Sequence, residues 1–161
     1  MKISRLSFLL SFLVLGLLVT ACNNDDEEAM PTPKQGCTTV ESDNYDPDAE
    51  EDDGSCIPWR DKFIAEFDYN RSCPAFPDKS GLLAITTGTG ELGMTFTLSS
   101  QSSTVVNVWE ATVTGETTFE LPSQTLPNNV ELSGTGTLEN GQINMTYSLG
   151  TSNCTLTATA K

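Results

Sequence analysis

The chain has 161 residues, 37% of them hydrophobic and 19% charged, with a formal net charge of −14 and no histidine. So acidic a chain repels nucleic acid and anionic lipid surfaces. Without histidine it lacks the commonest general base and any Ser-His or Cys-His pair.

Lys2 and Arg5 give the chain a short basic start, and an apolar run broken only by Ser11 extends from Phe8 to Val19. That run is short for a transmembrane helix, which needs about 20 residues. With Val19-Thr20-Ala21 before Cys22, it reads as a signal helix that is cleaved ahead of the cysteine. The Val-Thr-Ala-Cys tetrad resembles the lipobox of bacterial lipoproteins. The resemblance implies that Cys22 becomes the first mature residue and carries acyl chains, palmitate among them, as its membrane anchor. At about 0.8 kcal/mol per buried methylene, several chains make such an anchor effectively permanent. Losing residues 1–21 removes Lys2 and Arg5 but no acid, which leaves −16.

Asn23-Asn24-Asp25-Asp26-Glu27-Glu28 follows. A dense acidic block stays solvated and extended, and Met30-Pro31-Thr32-Pro33 continues it as an extended linker over 22–35. The block is also similar to the acidic export tag of Bacteroidetes-type lipoproteins, which implies the outer face of the outer membrane.

Five cysteines are present, and four remain once Cys22 is assigned to lipid: Cys37, Cys56, Cys73 and Cys154. An exported compartment permits disulfides, and four cysteines allow three connectivities. With no CxxC and no histidine, a zinc site is not expected. Residues 36–56 hold two turn signals between two cysteines, Asn44-Tyr45-Asp46-Pro47 and Asp53-Gly54-Ser55, a compact loop that Cys37–Cys56 would close. Cys37, Asn44, Tyr45, Pro47, Ala49, Asp52, Asp53, Gly54, Ser55 and Cys56 resemble a short acidic module of Bacteroidetes surface proteins. Val40-Glu41-Ser42-Asp43 departs from its pattern. Asp46, Asp48, Glu50 and Asp52 alternate as calcium ligands would, but their spacing fails the EF-hand pattern, and a solvated acidic loop is the expectation.

From residue 57 to 161 Thr, Ser, Gly and Val dominate and apolar residues alternate, the mark of half-buried strands. Eight strands are predicted, with inward residues in chain order: Phe63, Ala65, Phe67 and Tyr69; Leu83 and Ile85; Met94, Phe96 and Leu98; Val105, Trp109, Ala111 and Val113; Phe119 and Leu121; Val130, Leu132 and Leu138; Ile143, Met145, Tyr147 and Leu149; Leu156, Ala158 and Ala160. Asn140-Gly141 is the strongest hairpin turn between them. The fold class is all-β, an antiparallel meander that closes into a small barrel, with a β-sandwich as the alternative. Cys73 and Cys154 share the inward parity of the first and last strands, so a bridge between them joins the two ends of the meander. Lys62, Phe63, Ile64, Phe67, Tyr69, Ser72 and Cys73, with Cys154, Thr155, Thr157, Ala158, Thr159 and Lys161, resemble an uncharacterised class of Bacteroidetes lipoprotein domains of lipocalin-like build.

Glu66, Asp68, Glu110 and Glu120 alternate with apolar neighbours and are expected to face solvent. No catalysis and no cofactor are therefore expected. The expectation is a lipid-anchored surface lipoprotein with a binding or structural role and an apolar small molecule or a protein as partner. A lipocalin-like carrier is the alternative, and a carboxylate-based hydrolase is the less favoured third reading. Phe96, Trp109, Phe119 and Tyr147 either line a ligand cavity or, as expected of so small a barrel, fill its core.

Overall fold

The computed structural model describes residues 31–100, 103–127 and 129–161, with only the backbone of 103–105. The signal helix, the Cys22 anchor and the acidic block at 23–28 lie outside the described residues.

Two short strands, β1 (Gln35–Gly36) and β2 (Glu51–Asp52), pair in parallel within the acidic module. Eight further strands make one closed antiparallel barrel: β3 (Glu66–Cys73), β4 (Phe76–Thr87), β5 (Gly93–Ser100), β6 (Ser103–Gly115), β7 (Thr118–Leu126), β8 (Val130–Glu139), β9 (Gln142–Leu149) and β10 (Ser152–Ala160). Neighbours in sequence are neighbours in the sheet, and β10 returns to pair with β3 from Thr155↔Ser72 to Ala160↔Phe67. Closure joins the first barrel strand to the last, and the sandwich alternative falls.

Alternation supplies the core. Phe67, Leu83, Ile85, Met94, Phe96, Leu98, Trp109, Phe119, Leu132, Ile143 and Leu156 are all buried on the inner face. The turn at Asn140-Gly141 carries φ of 52° and 75°, the left-handed pair that a type I′ hairpin requires. At Gly136 a side chain has no room, since a Cβ there would stand 2.3 Å from the Phe119 ring. A glycine on β8 thus makes space for an aromatic from β7.

The first predicted strand starts late. Phe63 lies in a 3-10 helix, Trp59–Phe63, and Ala65 is exposed in the link to β3. The alternation of Phe63 and Ala65 with Phe67 does not mark a strand, because the chain turns here across the base of the barrel. Phe63 is fully buried there, its ring edge-on to Phe119 at 5.8 Å. At the last strand, Ala160 is exposed where β10 ends. The side chain of Val105 lies outside the described residues.

The two disulfides are Cys37–Cys56 and Cys73–Cys154. The second stands one step beyond the Thr155↔Ser72 pair and closes the seam between the first and last barrel strands. The acidic module is tied to the base by Lys62, which reaches Asp43 at 2.7 Å and Glu116 of the β6–β7 turn at 3.7 Å.

Candidate functional site

The base of the barrel is plugged by the 3-10 helix, so the open end is the one bearing the β3–β4, β5–β6, β7–β8 and β9–β10 turns. The wall there is split. β6 and β7 pair only at Thr112↔Glu120, Val113↔Phe119 and Gly115↔Thr118, although β6 has 13 residues. Beyond Thr112 the ladder stops. Pro122 has no N–H to donate, and β7 bulges between Leu121 and Gln124. The Gln124 amide bridges part of the gap: its Oε1 accepts from the Glu110 N–H at 2.9 Å and its Nε2 donates to the Glu110 carbonyl at 2.8 Å.

An apolar crevice of about 280 Å³ lies at this split, lined by Phe76, Val106, Val108, Leu126, Val130 and Leu149 among others. Phe76, Val106 and Val108 are 42%, 52% and 54% exposed. Large apolar side chains gathered at one opening are the surface feature that calls for a ligand or partner.

Toward the same end of the barrel, inward positions of β3 and β4 turn polar. Arg71 pairs with Leu156 across the β3–β10 ladder and shares the inward parity of Phe67, Tyr69 and Cys73. Its cross-strand partner on β4 is Lys79, on the parity of Leu83 and Ile85. Tyr147 is buried beside the Cys73–Cys154 bridge, its hydroxyl 3.8 Å from Cys73 Sγ. Burial pushes the Tyr147 hydroxyl up to about 12, and the nearby Arg71 guanidinium pulls the other way. Tyr69 is raised by burial too, again opposed by Arg71. The Trp109 ring lies 5.3 Å from that of Tyr147. Among the described residues two buried N–H groups have no acceptor, Arg71 Nε and Trp109 Nε1.

The four aromatics expected at a cavity or in the core are core. Phe96, Trp109, Phe119 and Tyr147 are each no more than 3% exposed. Phe96 and Phe119 rings meet at 5.2 Å. These rings meet one another as core filling requires, and the crevice is lined by a different set. Tyr147 nonetheless reaches Arg71, and Trp109 packs against Tyr147.

The acidic loop does not gather its carboxylates. Among the described residues no group of three metal-ligating side chains converges. Asp46 is held by Lys34 at 2.8 Å and accepts the Asp48 N–H, and the Lys34 hydrogen bond keeps its carboxyl below the ordinary range. Asp52 accepts the Gly54 N–H at 2.8 Å. In this structure Asp46 and Asp52 serve Asx turns, and Asp46 also a surface ion pair. Asn44 pins the loop, donating to the Ser55 carbonyl at 2.7 Å and accepting the Ile57 N–H at 2.8 Å.

A second, broader groove of about 560 Å³ runs over the outer face of the barrel, with Thr118, Thr135, Thr137, Asn144, Thr146, Thr155 and Thr157 along it. Its outward groups are neutral and open to water.

No family model and no curated protein matches the chain. Solved structures do. A redesigned β-barrel superposes with a TM-score of 0.53 at 13% identity, over 63% of this chain and 95% of that one. The mFAP2b protein bound to DFHBI gives 0.47 at 12% identity, over 63% and 97%. Apo lipid binding protein 8 from Caenorhabditis elegans gives 0.42 at 14% identity, over 63% and 96%. The likeness is one of fold, an eight-stranded closed barrel.

Proposed function

We propose that this chain is a non-catalytic binding barrel, lipocalin-like in build, that takes a small apolar ligand at the split between β6 and β7. Lipid on Cys22 anchors it to the outer membrane with the barrel facing outward. The observation that carries the binding role is the apolar crevice, where a stretch of β6 without a β7 partner coincides with the exposed Val106 and Val108. A barrel that served only as a spacer has no need to open its wall or to line the opening with valine, leucine and phenylalanine. The absence of histidine and the exposed positions of Glu66, Asp68, Glu110 and Glu120 support a role without catalysis. Anchoring rests on the lipobox resemblance.

The test is a titration of the full chain with Nile red, an uncharged apolar dye. The reading predicts saturable binding with a blue-shifted, brighter emission, lost when Val108→Glu or Leu126→Glu places a charge in the crevice. Unchanged dye fluorescence with the folded protein, or equal binding by both variants, contradicts it.

A further inference from the structure

The six cations of residues 22–161 are not distributed at random. Lys34, Arg60, Lys62 and Lys161 each sit in an ion pair with an Asp. Among the described residues Arg71 and Lys79 form no ion pair. These two are cross-strand partners, side by side on the inward parity of β3 and β4. Like charges placed directly opposite each other destabilise a sheet, and in a chain with 22 acidic residues carboxylates to neutralise them are plentiful. Asp78 lies beside them, yet among the described residues no carboxylate is within ion-pair distance of either.

The neighbouring polar groups are nearly all donors. Arg71 Nε is buried without an acceptor, and so is Trp109 Nε1. Indole and guanidinium groups donate and never accept. The Tyr147 hydroxyl accepts a hydrogen bond from Arg71, and its own O–H has only the disulfide sulfur as a partner, at 3.8 Å, a weak one. A buried donor without an acceptor costs about 1–3 kcal/mol, so these two N–H groups close together describe a site built for something that only accepts. An ionised carboxylate is acceptor-only, and its two oxygens match the guanidinium fork.

The cluster also adjoins the apolar crevice. Leu149 of the crevice lies two residues beyond Tyr147 on the same face of β9, and Phe76 pairs with Cys73. A molecule with its chain in the crevice therefore has its head within reach of these donors.

We infer that the ligand of this barrel is an anionic amphiphile, a carboxylate on an apolar chain, with the carboxylate held by Arg71 and Lys79 and its hydrogen bonds completed by Tyr147 and Trp109. The inference rests on the binding role proposed above and fixes the charge of the ligand. It places a negative ligand in a strongly negative protein, which the overall charge alone would have excluded.

The test compares laurate with its uncharged counterpart dodecanol by calorimetric titration of the full chain, below the micelle concentration of laurate. The expected result is laurate binding at least tenfold tighter than dodecanol, with the Arg71→Met/Lys79→Met double variant losing that preference while still binding dodecanol. Equal binding of the two by the unaltered protein overturns the anionic inference and leaves the apolar reading standing. A laurate preference that survives in the double variant overturns the assignment to Arg71 and Lys79. If neither amphiphile binds, the carrier reading itself fails, and the inference with it. The laurate-to-dodecanol ratio of the unaltered protein decides the question of charge even if the double variant does not fold.

Discussion

The Cys73–Cys154 bridge closes the barrel at its seam, and its removal has a calculable cost. The two cysteines are 81 residues apart in sequence, with Cα atoms 4.4 Å apart, and both are buried. A closed loop of that length restricts the unfolded chain by about 15 cal/mol/K, or about 4.5 kcal/mol at room temperature. Domains of this kind have only about 5–15 kcal/mol of net stability. A Cys73→Ala/Cys154→Ala variant should therefore lose a third or more of the total. At roughly 4–8 °C per kcal/mol, the Tm should fall by about 20 °C or more. Guanidinium unfolding followed by fluorescence of Trp59 and Trp109 measures it. The Cys37–Cys56 loop, with a separation of 19, has a smaller entropic value, about 3 kcal/mol. It also lies in a module outside the barrel ladders, so Cys37→Ala/Cys56→Ala should shift the barrel transition far less. A loss under about 1 kcal/mol for the seam variant, or a larger barrel shift for the module variant, would refute the argument that the seam bridge holds the meander closed.

The remaining predictions touch the core, the titrating groups, the split and the anchor. Gly136→Ala drives a methyl group to 2.3 Å from the Phe119 ring, which is held between Phe63 and Phe96. It should cost about 1–3 kcal/mol as an overpacked core, read as a shift in urea midpoint, whereas an unchanged midpoint would mean the ring is free to move. Tyr147, pushed up to about 12 by burial, keeps its proton in the folded state at a pH where the unfolded chain, with its ordinary value near 10, has lost it. Its stabilising effect is thus full below about pH 10 and falls by about 2–3 kcal/mol between about pH 10 and 12; Tyr147→Phe should flatten that slope in urea midpoints measured across the range. Gln124→Ala removes both hydrogen bonds to Glu110. It should cost roughly 1 kcal/mol and speed Nile red entry in stopped-flow mixing, and an unchanged rate would show that this amide does not gate the opening. In a bacterial host that processes lipoproteins, Cys22→Ala should move the protein from the membrane fraction to the soluble one; retention in the membrane would contradict the anchor.

Most of the barrel was legible because one rule, apolar alternation, governs a sheet with one wet face. The predicted inward residues Leu83, Ile85, Met94, Phe96, Leu98, Phe119, Leu121, Ile143, Met145 and Tyr147 are all buried, and Asn140-Gly141 announces its own turn. Parity also placed Cys73 and Cys154 on a common face, which a seam bridge needs. The rule failed where the chain leaves the sheet: Phe63 carries the right spacing, but Pro58 and the 3-10 turn after it send the chain across the base of the barrel. It failed differently at the site. Reading inward positions as apolar passes over Arg71 and Lys79, although each has the parity of its buried neighbours, and that parity was the available signal. The split between β6 and β7 depends on a bulge that no local pattern specifies, and Pro122 inside an otherwise regular strand was its only trace. The four aromatics were visible as a group, but whether rings line a space or fill it depends on how opposite strands meet. Gly134 and Gly136 allow that close meeting on β8. A Cβ at Gly134 would fall 2.4 Å from that of Tyr147.

The most direct test of the central claim, that the barrel receives an amphiphile at the split wall, is an amide NMR titration of the full chain with laurate. The account predicts saturable shifts at Val106, Val108, Leu126, Val130 and Leu149, joined by Arg71 and the Trp109 indole N–H, with the outer-face threonines Thr135, Thr146 and Thr157 unmoved. Shifts confined to those threonines, or no saturable shifts at all, would contradict it.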